Sequence, residues 1–271
     1  MRFTSVLAVA ALAAAGNSAL ASAVLYSVSG STHSENFDSL PMSGTAIVNS
    51  WVNNTTLPSW YAYRIGGTQG AGPVDRIDAG SGSSNAGQLY SFGTSTSSSE
   101  RALGSVSSNT AGGFRYALLL HNDTGLTLTS FMLTYDGEQW RDGGQAGAPV
   151  LHKLDFQFRT SATLPGDSVL NDSAGYTDVN ALDFTGPVSV NTGGGNSLNG
   201  NLIANRVATI SAMVATTWNP DEYLILRWED ANDSGNDHGI AIDNLEFKAV
   251  PAPGAGALVA ISGLALLRRR R

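Results

Sequence analysis

The chain reads as all-β: an antiparallel, jelly-roll-like β-sandwich flanked by a signal helix and a short hydrophobic anchor helix. Three observations predict it. Several segments alternate apolar and polar residues with period two, the mark of half-buried strands. Charged residues are only 14% of the composition, too few for the Glu-, Lys- and Arg-rich surface that helices usually present. Turns rich in Gly, Asn and Asp separate the alternating segments.

The first element is the N-terminal segment, residues 1–23. Arg2 supplies a positive flank and residues 6–15 are apolar. Small residues follow at Ala19, Ala21 and Ala23, as an export signal requires. That apolar core is about half of the ~20 residues that span a bilayer.

The sandwich domain is assigned to residues 24–249, enough chain for one large core. Residues 80–109 are rich in Ser and Gly, with a short strand expected at 88–92. Residues 114–120 are almost uniformly apolar, as in a central strand. In 126–135, Leu126 and Leu128 share one parity while Phe131, Leu133 and Tyr135 share the other. One face cannot bury both sets, so a β-bulge or bend is expected near Thr129-Ser130. In 151–160, Leu154, Phe156 and Phe158 face one way. In 207–214, Ala208, Ile210, Ala212 and Val214 do the same. In 222–228, Leu224, Leu226 and Trp228 lie opposite Arg227. Turns are expected at Asn122-Asp123-Thr124-Gly125, Asp142-Gly143-Gly144 and Gly193-Gly194-Gly195-Asn196. The pattern predicts about ten to fourteen strands, with Greek-key or jelly-roll topology.

The last element is residues 250–271. Pro251 and Pro253 precede an uncharged apolar run at 254–267, and Arg268, Arg269, Arg270 and Arg271 follow. As a helix the run rises ~21 Å, short of the ~30 Å of hydrocarbon. The four arginines should stay cytoplasmic and hold the exported domain at the outer face of the membrane. This ending resembles the PEP-CTERM sorting signals of bacteria, with Ala252 where that family usually carries Glu. The resemblance implies processing by an exosortase-type enzyme and delivery to the cell envelope or extracellular polysaccharide.

Arg2 and the tail account for five of fifteen cations, which leaves ten against twenty-two carboxylates in the sandwich domain. That surface repels nucleic acid and anionic lipid. The chain has no Cys, which excludes thiolate zinc sites and thiol catalysis. There is no G-x-S-x-G, H-E-x-x-H or P-loop pattern, so a non-enzymatic role is expected. His33, His121, His152 and His238 show no ligand spacing.

Two constellations are candidates for chemistry. Residues 229–244 are dense in Asp, Asn and Glu and could surround calcium, whose shell takes about six to eight oxygens, though without EF-hand spacing. Within it, Asp243 shares parity with Leu245 and Phe247, and Glu35 shares parity with Phe37. Both acids should therefore point inward, and if the first and last strands are neighbours they converge on one Ca²⁺. The second constellation is Glu138, Trp140 and Arg141, a flat ring beside two polar groups, as in a sugar-binding platform. Trp51, Trp60, Tyr61 and Tyr63 would extend that platform. A glycan hydrolase or lyase would instead pair Glu138 with Asp136 or Asp142.

Asn36-Phe37-Asp38 and the run from Gly239 to Leu245 resemble the first and last strands of MAM-type, lectin-like jelly rolls. That resemblance implies an adhesive module with a structural calcium ion. Together these readings predict an exported envelope or matrix protein contacting extracellular polysaccharide. The alternatives are a glycan-active enzyme and a purely structural envelope component.

Overall fold

A computed structural model describes residues 22–43, 50–95, 97–144, 151–190 and 193–251. Nearly all of the expected signal segment lies outside the described residues. So does the tail beyond Pro251, with Pro253, Arg268, Arg269, Arg270 and Arg271. No helix of the described residues is long and apolar enough to cross a membrane.

The described residues form sixteen strands. The first seven are short: β1 (Val24–Tyr26), β2 (His33–Glu35), β3 (Trp60–Ile65), β4 (Gly72–Pro73), β5 (Ile77–Gly80), β6 (Gln88–Phe92) and β7 (Ala102–Val106). The central ones are β8 (Gly113–Asn122), β9 (Leu128–Asp142) and β10 (Lys153–Ser161). A single helical turn, α1 (Asp167–Leu170), precedes β11 (Thr177–Asp178), β12 (Phe184–Thr185) and β13 (Asn196–Ser197). The chain closes with β14 (Arg206–Trp218), β15 (Tyr223–Asp230) and β16 (Gly239–Val250). The count exceeds expectation because strands of two or three residues show no period to read.

Two sheets share these strands. One runs β11-β10-β15-β8-β3-β4, with β1 on β8 and β12 on β10. The other runs β13-β9-β16-β7-β6-β5, with β14 on β9 and β2 on β16. The six long strands from β8 to β16 alternate between sheets, so each connection crosses the sandwich. Most pairs are antiparallel as expected, but β1–β8 and β5–β6 are parallel. The first sheet is centred on β8, buried on both faces as its apolar run required.

The core lies between the sheets. Leu154, Phe156 and Phe158 meet Leu224, Leu226 and Trp228 within the first sheet, facing Phe131, Leu133 and Tyr135 of β9. The alternation read from 151–160 and 222–228 therefore holds. Leu128 and Phe131 are both buried although they are three residues apart. The pairing slips there as expected, but the additional residue sits on β14, between Ala215 and Trp218.

Three further bulges decide where side chains point. Between Ile240 and Gly239 of β16, β9 carries an extra residue around Trp140. Thr209 on β14 and Asn244 on β16 both adopt positive φ, at 59° and 49°, where each strand gains a residue against β9. Asp136 sits between those two bulges. Its carboxylate accepts the Thr209 N–H at 2.7 Å and the Asn244 side-chain amide at 3.2 Å.

The Asn244 bulge overturns one expectation. Ile240 and Ile242 face the core, and so do Leu245 and Phe247, because the extra residue between them resets parity. Asp243 consequently points to the outer face of this sheet, with Ala241 and Trp140.

The outer faces are covered as well. On the first sheet, Tyr61, Tyr63, Leu119 and Ile225 pack beneath Leu170, Val169 and Tyr176. On the second, Tyr90, Phe92, Ala102, Val106, Trp140 and Ala241 form a third apolar cluster. The chain lies close over Trp140: a Cβ on Gly82, whose φ is +77°, would stand 1.7 Å from the Trp140 carbonyl oxygen.

Candidate functional site

A polar pocket of about 490 Å³ opens at one end of the sandwich. Strand register builds it. Gly239 of β16 stands opposite both Val106 of β7 and Arg141 of β9, so three strand ends meet there. Ser108 and Asn109 follow β7, Asn236 and Asp237 precede β16, and Gly193 and Gly195 precede β13; all six line the pocket. Among the described residues no aromatic side chain lines it.

Beneath the pocket lies a buried network of acids and histidines. Asp230 spans the two sheets: its carboxylate accepts the Ser105 hydroxyl at 2.6 Å and the Ser107 hydroxyl at 2.8 Å. Burial holds its pKa well above the usual carboxylate value, with the two hydroxyls pulling it back. The His152 and His238 rings are 4.2 Å apart, although nothing in their spacing along the chain pairs them. His238 Nδ1 accepts the Gly143 N–H at 2.7 Å, and His152 Nδ1 accepts the His238 N–H at 3.3 Å. His152 Nδ1 also lies 3.3 Å from Asp233 Oδ2, and His238 Nδ1 lies 3.5 Å from Asp142 Oδ1. Burial, then the neighbouring His238, push the His152 pKa down to about 4. Burial raises Asp237 to about 6, although its carboxylate accepts the Asp233 N–H. His152, Asp233 and Asp237 bring one ligand atom each within 4.8 Å of one another, a group able to hold a metal ion.

The acid-rich run thus divides. Asp230, Asp237 and His238 turn inward, while Asn232 and Asn236 stay exposed.

Asp230 gives a pH prediction. A carboxyl whose folded pKa is raised contributes stability that is full below its unfolded pKa and is lost as pH rises toward the folded value. Asp230→Asn keeps the shape and cannot ionise. Its stability relative to wild type should therefore improve from acid to alkaline pH, read by urea unfolding at both. A relative stability that stays flat or worsens with pH would contradict the assignment.

The expected sugar platform is absent. Trp140 and Glu138 have no exposed surface, and Trp51, Trp60, Tyr61 and Tyr63 are buried too. Burying aromatic area outweighed any use at the surface. Trp140 Nε1 donates to Glu138 Oε2 at 2.9 Å, so that pair is internal. A fully buried Glu138 also has no room to flank a glycosidic bond with Asp136 or Asp142. Only Arg141 reaches the pocket, where its guanidinium also donates to the carbonyls of Gly82 and Ser83.

The expected ion pair of ligands is not formed either. β2 and β16 are neighbours, with Glu35 opposite Leu245. Opposed residues share a face, and Leu245 faces the core, so Glu35 lies on the side away from Asp243. Glu35 instead accepts the N–H of Phe37, whose φ is 56°. Asp243 meets Glu138 and Glu100, each offering an oxygen within 4.8 Å of the others. Glu100 lies in the Ser-rich stretch before β7, where no pattern singled it out.

No protein-family model matches the chain, and no curated protein is significantly similar to it. Among solved structures, the K2 cleaved adhesin domain of Lys-gingipain matches over 80% of this chain and 99% of its own, at 15% identity and TM-score 0.36. The Stig cyclase Fisc from Fischerella matches over 82% and 100%, at 14% identity and TM-score 0.37. A family 61 carbohydrate-binding module, solved with β-1,4-galactotriose, matches over 55% and 71%, at 8% identity and TM-score 0.25. The chain spans 22% of a Cry1Da tryptic core from Bacillus thuringiensis, which it also matches. These are distant likenesses, and no ligand or activity follows from them.

Proposed function

We propose that the chain is an exported, envelope-associated protein that contacts neutral extracellular polysaccharide through the polar pocket and performs no catalysis. The pocket's lining carries the reading. Amide, hydroxyl and guanidinium groups converge with glycine backbone in a volume within the usual range of about 300–1,000 Å³ for small-molecule sites. Such groups suit a hydroxyl-rich ligand held by hydrogen bonds rather than by stacking. The excess of carboxylates in the domain disfavours an anionic glycan. The fold is read as jelly-roll-like, with the N-terminal signal for export. The PEP-CTERM-like tail would serve as a transient membrane anchor and as the substrate of an exosortase-type enzyme.

A glycan array tests this. The wild-type chain should be retained by neutral glycans. The double variant Asn109→Ala/Asn236→Ala, altered on exposed loops, should lose at least tenfold in retention with its melting temperature unchanged. Retention that survives the double variant, or no retention by wild type, would overturn the pocket reading.

A further inference from the structure

The three carboxylates of Glu100, Glu138 and Asp243 lie on the outer face of the second sheet, away from the core. Glu138 is fully buried and Asp243 is 4% exposed. Each of the three acids leaves one buried oxygen without a hydrogen-bond partner: Glu100 Oε1, Glu138 Oε1 and Asp243 Oδ1. The opposite oxygens of two of them are engaged, Glu138 Oε2 by the Trp140 indole and Glu100 Oε2 by the Asn201 amide. Two of the acids are thus held in place while their free oxygens remain unsatisfied.

Unpaired buried carboxylates are costly, and three together are more so because like charges repel. Among the described residues no cation lies within ion-pair distance of them, and Arg206 offsets the charge on Glu138 only from further away. Arg206 stands opposite Glu138 on β14, but its guanidinium reaches Asp136 instead, at 3.7 Å. A proton shared between two of the acids would leave the third oxygen bare. One ion at the centre would satisfy all three.

The geometry points to a Ca²⁺ site formed by Glu100, Glu138 and Asp243. Oxygens bound to calcium lie about 2.3–2.6 Å from it, so two ligands of one ion are separated by at most about 5 Å. One carboxylate oxygen from each acid meets that condition, the three lying within 4.8 Å of one another. An all-oxygen, carboxylate-rich set selects a hard cation over zinc or copper. The electrostatics agree. Burial first, and Glu138 second, push the Asp243 pKa up to about 8, while burial and Glu100 raise Glu138 to about 7. A bound dication removes that strain. It would also tie the loop before β7 to β9 and β16, closing the cover over Trp140. This site is separate from the polar pocket and stands whether or not the pocket binds glycan.

Metal content and thermal unfolding of the purified full chain test it, in millimolar calcium chloride and in EDTA. Wild type should hold one calcium ion per chain and melt several degrees higher with calcium. Asp243→Asn and Glu138→Gln should each bind calcium at least tenfold more weakly and lose the calcium-dependent shift. In EDTA both should melt at or above wild type, because each removes one repelling charge. That readout separates loss of a ligand from simple damage to the fold. Asp237→Asn should keep the full calcium shift. No calcium on wild type, a calcium shift retained in Asp243→Asn, or one abolished by Asp237→Asn alone would overturn the assignment.

Discussion

Trp228→Ala should be among the most destabilising single substitutions in this protein, lowering stability by roughly 3–5 kcal/mol. Trp228 has no exposed surface and is ringed by aromatics from both sheets. Phe156 and Tyr135 meet it edge-on at 5.1 and 5.6 Å between ring centroids, and Trp60 stacks on it at 5.8 Å. Tyr135 belongs to β9 of the opposite sheet, so removal opens a cavity across the sandwich midplane. For a domain of this size each kcal/mol shifts the melting temperature by roughly 2–4 °C, so a fall on the order of 10 °C is expected. Trp228→Phe is the informative companion. It keeps most of the packing and loses only the indole N–H, so its cost should stay under about 1.5 kcal/mol. Equal losses in the two variants would show that the site does not depend on packing volume.

Arg227→Ala should cost about 3 kcal/mol, with an effect confined to one region. Arg227 lies on the outer face of the first sheet and is 1% exposed. Its guanidinium donates to the carbonyls of Leu170 and Asp172 at 3.2 and 2.6 Å, and to the Gln157 side chain at 2.5 Å. It also sits 3.4 Å from the centre of the Tyr176 ring. Burial lowers its pKa to about 10, so it stays charged at neutral pH. Hydrogen bonds to a charged group are each worth about 1.5–3 kcal/mol, and several are lost together with a cation–π contact. The partners are carbonyls around α1, so that excursion should come away from the sheet. Hydrogen exchange should speed up across residues 166–178 and stay slow in β8. Arg227→Lys should rescue little, because an ammonium cannot reproduce the planar fork. Uniform loss of protection across both sheets would contradict the local role.

The strands that could be read beforehand are those whose two faces differ chemically. In β10 the residues opposite Leu154, Phe156 and Phe158 are charged or polar, so the period shows. β15 was legible on one face only. The period places Arg227 opposite the apolar face, but its partners come from residues 157 and 170–176, which no local pattern connects to it. Trp140 was misplaced for a similar reason. A tryptophan between Glu and Arg has the composition of an exposed platform, and only the tertiary neighbours make it interior: Gly200, where a Cβ would stand 2.5 Å from the indole, and Phe92, stacked on the ring at 5.9 Å.

The carboxylate site shows the limit most clearly. Asp243 stood out as a charged residue in an apolar strand, and the need for a partner followed from that alone. Its orientation did not. Parity counts every residue as one step, and the bulge at Asn244 adds a step that only pairing with β9 reveals. Glu138 was noted for a different chemistry, and Glu100 had no distinguishing neighbour at all.

Local composition and periodicity by themselves determined the all-β class, the main core-facing residues and the presence of a slip near Thr129-Ser130, because burial of alternating side chains is a short-range constraint. Which face Asp243 occupies, the meeting of His152 with His238, and the gathering of Glu100 with Glu138 were decided only by the tertiary structure. Those depend on inter-strand register and on bulges, and register is set by pairing between segments tens to more than a hundred residues apart in the chain.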